Sequence, residues 1–184
     1  VKKQRTLTDM LEGQSKSAIN QIIRHVGDDQ KKFDGLMNIF FGNEPDLARR
    51  AGWAISYIAC SHPALIKKHF PKIIALLKTP GLHPAMYRSV LRFLEEIRIP
   101  AAYNAVVFDL AVKFVLNATH TIAVRAFALT TAANVVKVHP ELAGELRIII
   151  LHLQEESSAA LRVRCRDVLK MIDQLPKENP EFKS

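Results

Sequence analysis

Apolar positions recur along this chain every three or four residues, in segments of several turns separated by prolines and polar residues, and that period predicts helices. Four segments align with one another: "DLARRAGWAISYIA" (46–59), "AMYRSVLRFLEEI" (85–97), "IAVRAFALTTAANV" (122–135) and "LRVRCRDVLKMID" (161–173). The alignment superposes Arg50, Arg88, Arg125 and Arg164, at spacings of 38, 37 and 39 residues. An apolar residue stands three positions before each arginine (Leu47, Ala85, Ile122, Leu161) and a small one directly after it (Ala51, Ser89, Ala126, Cys165). Small residues there let a neighbouring helix approach closely. Arg125 opens an otherwise almost uncharged helix. A cation in a first turn opposes the helix dipole at a cost of about 0.3–1 kcal/mol, so it needs a compensating partner.

A second kind of helix alternates with the first: "HPALIKKHFPKIIALLK" (62–78), "IPAAYNAVVFDLAVKFVL" (99–116) and "HPELAGELRIIILHLQ" (139–154). Pro63, Pro100 and Pro140 are expected just inside the helix starts, where the missing N–H has no helical partner to lose. Pro71 is expected to kink its helix. "DDQKKFDGLMNIFF" (28–41) reads as the same kind, with Asp28 as the expected N-cap. "TLTDMLEGQSKSAINQIIRHV" (6–26) predicts a capping helix weakened by Gly13, and "PKENPEFKS" (176–184) a frayed tail. The chain therefore reads as a single domain, 1–184, of four helical hairpins at about 28–61, 62–98, 99–138 and 139–175. One hairpin cannot bury its apolar face alone, but stacked hairpins bury a core between neighbours. Leu110, Val124, Leu129, Ile149 and Leu169 are expected in that core. The polar first helix and the tail read as the ends of a complete small protein.

These residues resemble the HEAT repeat family, within the wider HEAT and armadillo-like group of α-solenoids. "NEPDLARRAGWAISYI" (43–58) is similar to the family's inter-helix turn and second helix, and Val124-Arg125 and Val163-Arg164 match its Val-Arg pair. The resemblance implies an all-α fold, a right-handed α-α superhelix of about four HEAT-like hairpins behind an N-terminal capping helix. It also implies that each motif arginine reaches an aspartate in an inter-helix turn, through a charged hydrogen bond of about 1.5–3 kcal/mol that outweighs the dipole cost. Asp46 suits this role for Arg50. The turns "KTPGLHP" (78–84) and "NATHT" (117–121) hold no acid, and "QEESS" (154–158) holds only the longer Glu155 and Glu156. The ladder is thus expected to be incomplete, with some arginines on backbone carbonyls or in solvent.

Charge adds a possible partner class. Lys and Arg number 26 against 18 Asp and Glu, a formal net charge of +8. Residues 46–175 hold 17 basic and 10 acidic residues, so the excess lies in the helical body and not in a basic arm. Such a distribution suits anionic partners, and it equally serves solubility. No apolar stretch is long enough to span a bilayer, and the polar N-terminus has no apolar signal-peptide core. Cys60 and Cys165 lie in apolar helical patterns and read as buried, reduced thiols of a cytoplasmic protein.

The second helices line the concave side in the family, and here they carry Arg49, Arg50, Arg88, Arg92, Arg125, Lys137, Arg162, Arg164, Arg166 and Lys170. The candidate binding surface is Arg49, Trp53, Tyr57, Arg88, Arg92, Arg125, Arg164 and Arg166. Trp53 and Tyr57, four apart, share a helix face and serve either as a stacking platform or as packing between repeats. Arg50 is expected to be structural, and Arg88 and Arg92 to be freer and to share a face. His62, His83 and His139 precede prolines and read as residues at helix starts; no Cys/His spacing matches a zinc site. Glu95 and Glu96 diverge on a helix. Asp109, alone among apolar residues, reads as an i,i+4 ion pair with Lys113. No phosphate loop, GxSxG or HExxH is present, and no metal, cofactor or small-molecule substrate is expected. Two functions compete. One is a non-catalytic scaffold that binds a protein partner on the concave face. The other is a protein that binds nucleic acid or another polyanion on its basic face. For the second, the resemblance extends at fold level to HEAT-like alkylpurine DNA glycosylases, although Trp53 is the single tryptophan and no acid is set beside it in sequence.

Overall fold

The computed structural model describes residues 6–13, 15–156 and 158–176, apart from the side chains of 154–156. The expected frayed tail beyond Pro176 and the Glu155 and Glu156 side chains therefore lie outside the described residues. Ten α-helices and no strand occur among the described residues: α1 (Leu7–Leu11), α2 (Lys16–Val26), α3 (Gln30–Phe40), α4 (Pro45–Ser61), α5 (Phe70–Lys78), α6 (Pro84–Glu96), α7 (Asn104–Leu116), α8 (Ile122–Val136), α9 (Ala143–Glu156) and α10 (Ala159–Asp173). They fall into two compact units that divide between Tyr103 and Asn104.

In the first unit the capping segment is two helices. Thr6 and Asp9 form a reciprocal capping box on α1, and Ser15 caps α2 after the break at Gly13. Helix α4 packs against α2, α3 and α6. Its inner face is small (Ala48, Ala51, Gly52, Ala54), and all four residues are buried. A Cβ built on Gly52 would lie 2.8 Å from the Ser89 Cβ and 2.9 Å from the Phe40 ring, so α4 and α6 meet at this point. The core beneath holds the fully buried rings of Phe33, Phe40, Phe70 and Phe93, with Phe40 and Phe93 edge to face at 6.5 Å. In the second unit α8 packs against α7, α9 and α10. A helix flanked on several sides must be apolar nearly all round, which accounts for its lack of charge. Its buried Thr131 returns its hydroxyl to the Phe127 carbonyl at 2.9 Å.

The arginine at the start of α8 reaches the other end of its neighbour. Arg125 Nε donates to the Val115 carbonyl at 2.8 Å, in the last turn of α7. Arg50 Nη1 donates to the Leu11 and Glu12 carbonyls at 2.9 and 3.1 Å, at the C-terminal end of α1. Carbonyls in a last helical turn lack helical donors and carry the negative end of the dipole. The cation that strains its own helix start is therefore balanced at a neighbour's end. The expected Arg50–Asp46 link does not form: Asp46 accepts from Arg49 at 3.3 Å, on an exposed face. Arg50→Met should lower stability by about 1–2 kcal/mol in thermal or denaturant unfolding, because two carbonyls lose a charged donor. The gain from removing Arg50 Nε, which is buried without a partner, keeps the loss at that size.

Several helix starts differ from expectation. Residues 63–69 form turns and a short 3-10 segment, and α5 begins only at Phe70 with Pro71 in its first turn. Pro71 thus starts a helix and kinks none. Pro100 and Pro140 likewise open short 3-10 turns ahead of α7 and α9. Asp29, not Asp28, caps α3 and accepts from the Lys31 and Lys32 amides. Leu110, Val124 and Leu129 are buried as expected, whereas Ile149 and Leu169 are half-buried. On α9 the buried face is Leu146, Ile150 and Leu153, and on α10 it is Leu161, Cys165, Val168 and Ile172. Cys165 is buried, but Cys60 is exposed. Asp109 and Lys113 are both exposed and form no ion pair among the described residues.

Part-buried polar pairs, each with one buried member, also link segments a repeat apart. In the first unit the Asp34 carboxylate receives Gln30 Nε2 at 2.9 Å, Lys68 Nζ at 2.5 Å and His69 Nε2 at 2.9 Å, tying α3 to the segment before α5. In the second unit the buried Asn104 amide donates to His139 Nε2 at 3.0 Å, and His139 Nδ1 donates to Glu141 at 3.0 Å. Both pairs span 35 residues. Burial pushes His69 below the usual histidine range, with the Asp34 bond opposing it. Burial works to raise the Asp34 carboxyl, but its bonds from Lys68, Gln30 and His69 hold it below the ordinary value. Both folded-state values are depressed, so the unfolded chain binds more protons and stability falls with acidification. The His69 share is present above the unfolded value near 6.5 and is lost as pH falls below it; the Asp34 share follows below about 3.8. His69→Gln should flatten the loss of melting temperature between neutral and mildly acidic pH. A remainder belongs to His120, which burial and then the Arg125 charge also depress.

Candidate functional site

The first unit carries a groove of about 460 Å³ between α4 and α6. It is lined on one side by Arg49, Arg50, Gly52, Trp53 and Tyr57 and on the other by Ala85, Arg88, Ser89 and Arg92. The two helices run parallel: Gly52 meets Ser89, and further along Cys60 feels the charges of Glu96 and Arg92. Each wall comes from one helix face. Arg49, Trp53 and Tyr57 recur every four residues on α4, and Ala85, Arg88, Ser89 and Arg92 at three and four on α6. Pro45 and Pro84 occupy the first turns of these helices, and the His83 side chain accepts from the Ala85 amide at 3.2 Å. The loop before α6 is held by Tyr87, whose hydroxyl donates to the Thr79 carbonyl at 2.6 Å.

Five of the sequence-derived surface residues come together here: Arg49, Trp53, Tyr57, Arg88 and Arg92. Trp53 is 36% and Tyr57 42% exposed, so neither ring is closed into packing between helices. Arg88 and Arg92 are exposed and have no hydrogen-bond or ion-pair partner among the described residues. Arg49 shares only the exposed contact with Asp46. No carboxylate among the described residues lines the groove. Arg50 reaches the wall, but its terminal nitrogen is occupied by the α1 carbonyls.

The other three residues lie in the second unit. Arg125 is half-buried and engaged with Val115, and Arg164 is half-buried on α10. Arg166 is exposed beside Ala159, Arg162 and Val163 in a shallow hollow. Cys165 lies near Arg125; burial raises its thiol above the ordinary value and the Arg125 charge opposes that. Asp34 with His69 and Asn104 with His139 form a set that the sequence motifs do not announce. Their common interval of 35 residues, close to the 37–39 of the arginines, is visible in the chain, but only His139 of the four reads from the sequence as a helix-start residue before a proline. No group of three or more His, Cys, Asp or Glu among the described residues could hold a metal ion, and no helix among them is long and apolar enough to cross a membrane.

Comparison with known proteins gives no match among curated proteins or solved structures. A model of the HEAT repeat domain matches residues 7–172. That span takes in all four motif arginines and nearly all of the helical hairpins, and the chain belongs to the HEAT repeat family.

Proposed function

We propose that this chain is a non-catalytic interaction module that holds a protein partner against the α4–α6 groove. The supporting observation is the pairing of two exposed aromatic rings with Arg88 and Arg92, which have no acceptor among the described residues. Tyrosine, tryptophan and arginine are the residues that most often anchor protein interfaces, because they combine large contact area with directional polar groups. A glycosylase-like site calls for an acid beside its aromatic residues, and no carboxylate among the described residues lines this groove, which favours the scaffold reading. A photo-cross-linking residue at Ala85 tests the reading in cells of the source organism, with one at Ile148, 71% exposed on α9, as the control. A discrete, saturable protein adduct from position 85 and none from 148 is expected. Nuclease-sensitive adducts at position 85, or equal adducts from both positions, overturn it.

A further inference from the structure

The positive charge of the groove is bounded, and the boundary says what it fits. Arg49, Arg88 and Arg92 supply its cations. Asp46 stands at one end beside Arg49, and the exposed Glu96 stands one turn beyond Arg92 at the other. From Arg49 to Tyr57 the wall rises about 12 Å along the helix axis, the reach of about four extended residues. A nucleic-acid strand carries its charge past both ends of such a site, where the two carboxylates repel it. Strongly salt-dependent DNA binders engage about 6–10 phosphates, more than this groove can serve. A short segment that bears two or three carboxylates meets the arginines and avoids the acids. Trp53 and Tyr57 add an apolar platform beside the cations, which suits a leucine or aromatic side chain alternating with the acidic ones.

Resting on the scaffold reading above, we propose that the groove takes a short acidic peptide segment, with its carboxylates on Arg88 and Arg92 and an apolar side chain against Trp53 and Tyr57. Charge complementarity selects the segment, and the flanking Asp46 and Glu96 discriminate against long polyanions.

Trp53 is the only tryptophan in the chain, so intrinsic fluorescence reports on this groove directly. The probes are an alternating Glu-Leu hexapeptide, its Gln-Leu and Lys-Leu counterparts, and oligo-deoxythymidine. The Glu-Leu peptide should change the emission saturably and lose affinity as salt is raised. In R88Q/R92Q the affinity should fall by about tenfold, while the melting temperature stays close to wild type because neither side chain holds the fold. R88E/R92E should lose the Glu-Leu peptide and take up the Lys-Leu one, an exchange that an unfolded variant cannot show. Equal binding of the Gln-Leu peptide, tighter binding of the oligonucleotide, or no saturable response to the Glu-Leu peptide overturns the proposal. A groove-specific protein adduct at Ala85 together with a silent Glu-Leu titration would overturn the acidic chemistry alone and leave the scaffold reading in place.

Discussion

Leu129→Ala and Leu146→Ala should each lower the stability of the chain by about 2–5 kcal/mol, and Ile149→Ala by roughly half that or less. Leu129 and Leu146 have no exposed surface, so truncation removes transfer free energy and leaves a cavity that the surrounding helices only partly refill. Leu129 lies on α8, which α7, α9 and α10 flank together. A void there opens onto three packed surfaces, and no one helix can shift to close it without losing contact elsewhere. Ile149 is half-buried at the margin of α9, so water reaches the space its side chain leaves. Denaturant unfolding with a common slope for wild type and variants measures the difference. Equal losses at 146 and 149 would show that α9 is rotated by a residue from the register described.

That register shows where sequence reasoning reached its limit. Helices α4, α6, α8 and α10 are legible because each carries a motif arginine at a near-constant interval from the next, and each begins close to the predicted place. Helix α9 holds "RIIIL", four apolar residues in a row, and such a run does not say which residue faces inward. The face is chosen by Leu146 and Leu153, which flank Ile150 at four and three residues. Helices α5, α7 and α9 start later than Pro63, Pro100 and Pro140 suggest, because proline suits a first helical turn and a turn or 3-10 segment ahead of it equally well, and the sequence around these prolines does not distinguish them. The partners of Arg50 and Arg125 were foreseeable only as a class. A carbonyl has no sequence signature, and which helix end lies within reach depends on packing. The groove was partly legible. Arg88 and Arg92 were expected to share a face, and so were Trp53 and Tyr57. That those two faces oppose each other across α4 and α6 follows from the close approach at Gly52, a tertiary fact.

The same substitution, glycine to alanine, should have opposite signs at two helical positions. In an open helix it stabilises by up to about 1 kcal/mol, because glycine loses more backbone freedom on folding. Gly144 in α9 is such a place, since an added Cβ meets nothing within 4 Å, and Gly144→Ala should raise the melting temperature slightly. At Gly52 the added carbon would come within 2.8 Å of the Ser89 Cβ, 2.9 Å of the Ser89 hydroxyl and 2.9 Å of the Phe40 ring. Phe40 is fully buried and braced against Phe93, and the Ser89 Cβ is fixed to the α6 backbone, so neither can swing aside. Helix α4 must then move from α6, and the overpacking cost of about 1–3 kcal/mol outweighs the gain in helix propensity. The pair can be tested as a cycle. Ser89→Gly removes two of the three close atoms, so it should recover part of the loss in Gly52→Ala, while alone it costs about 1 kcal/mol as a glycine inside a helix. Recovery stays partial because the Phe40 ring remains. Additive effects would mean that Ser89 does not limit the approach. A stabilising Gly52→Ala would mean that α4 and α6 are not in contact there, and the groove they frame would lose its floor.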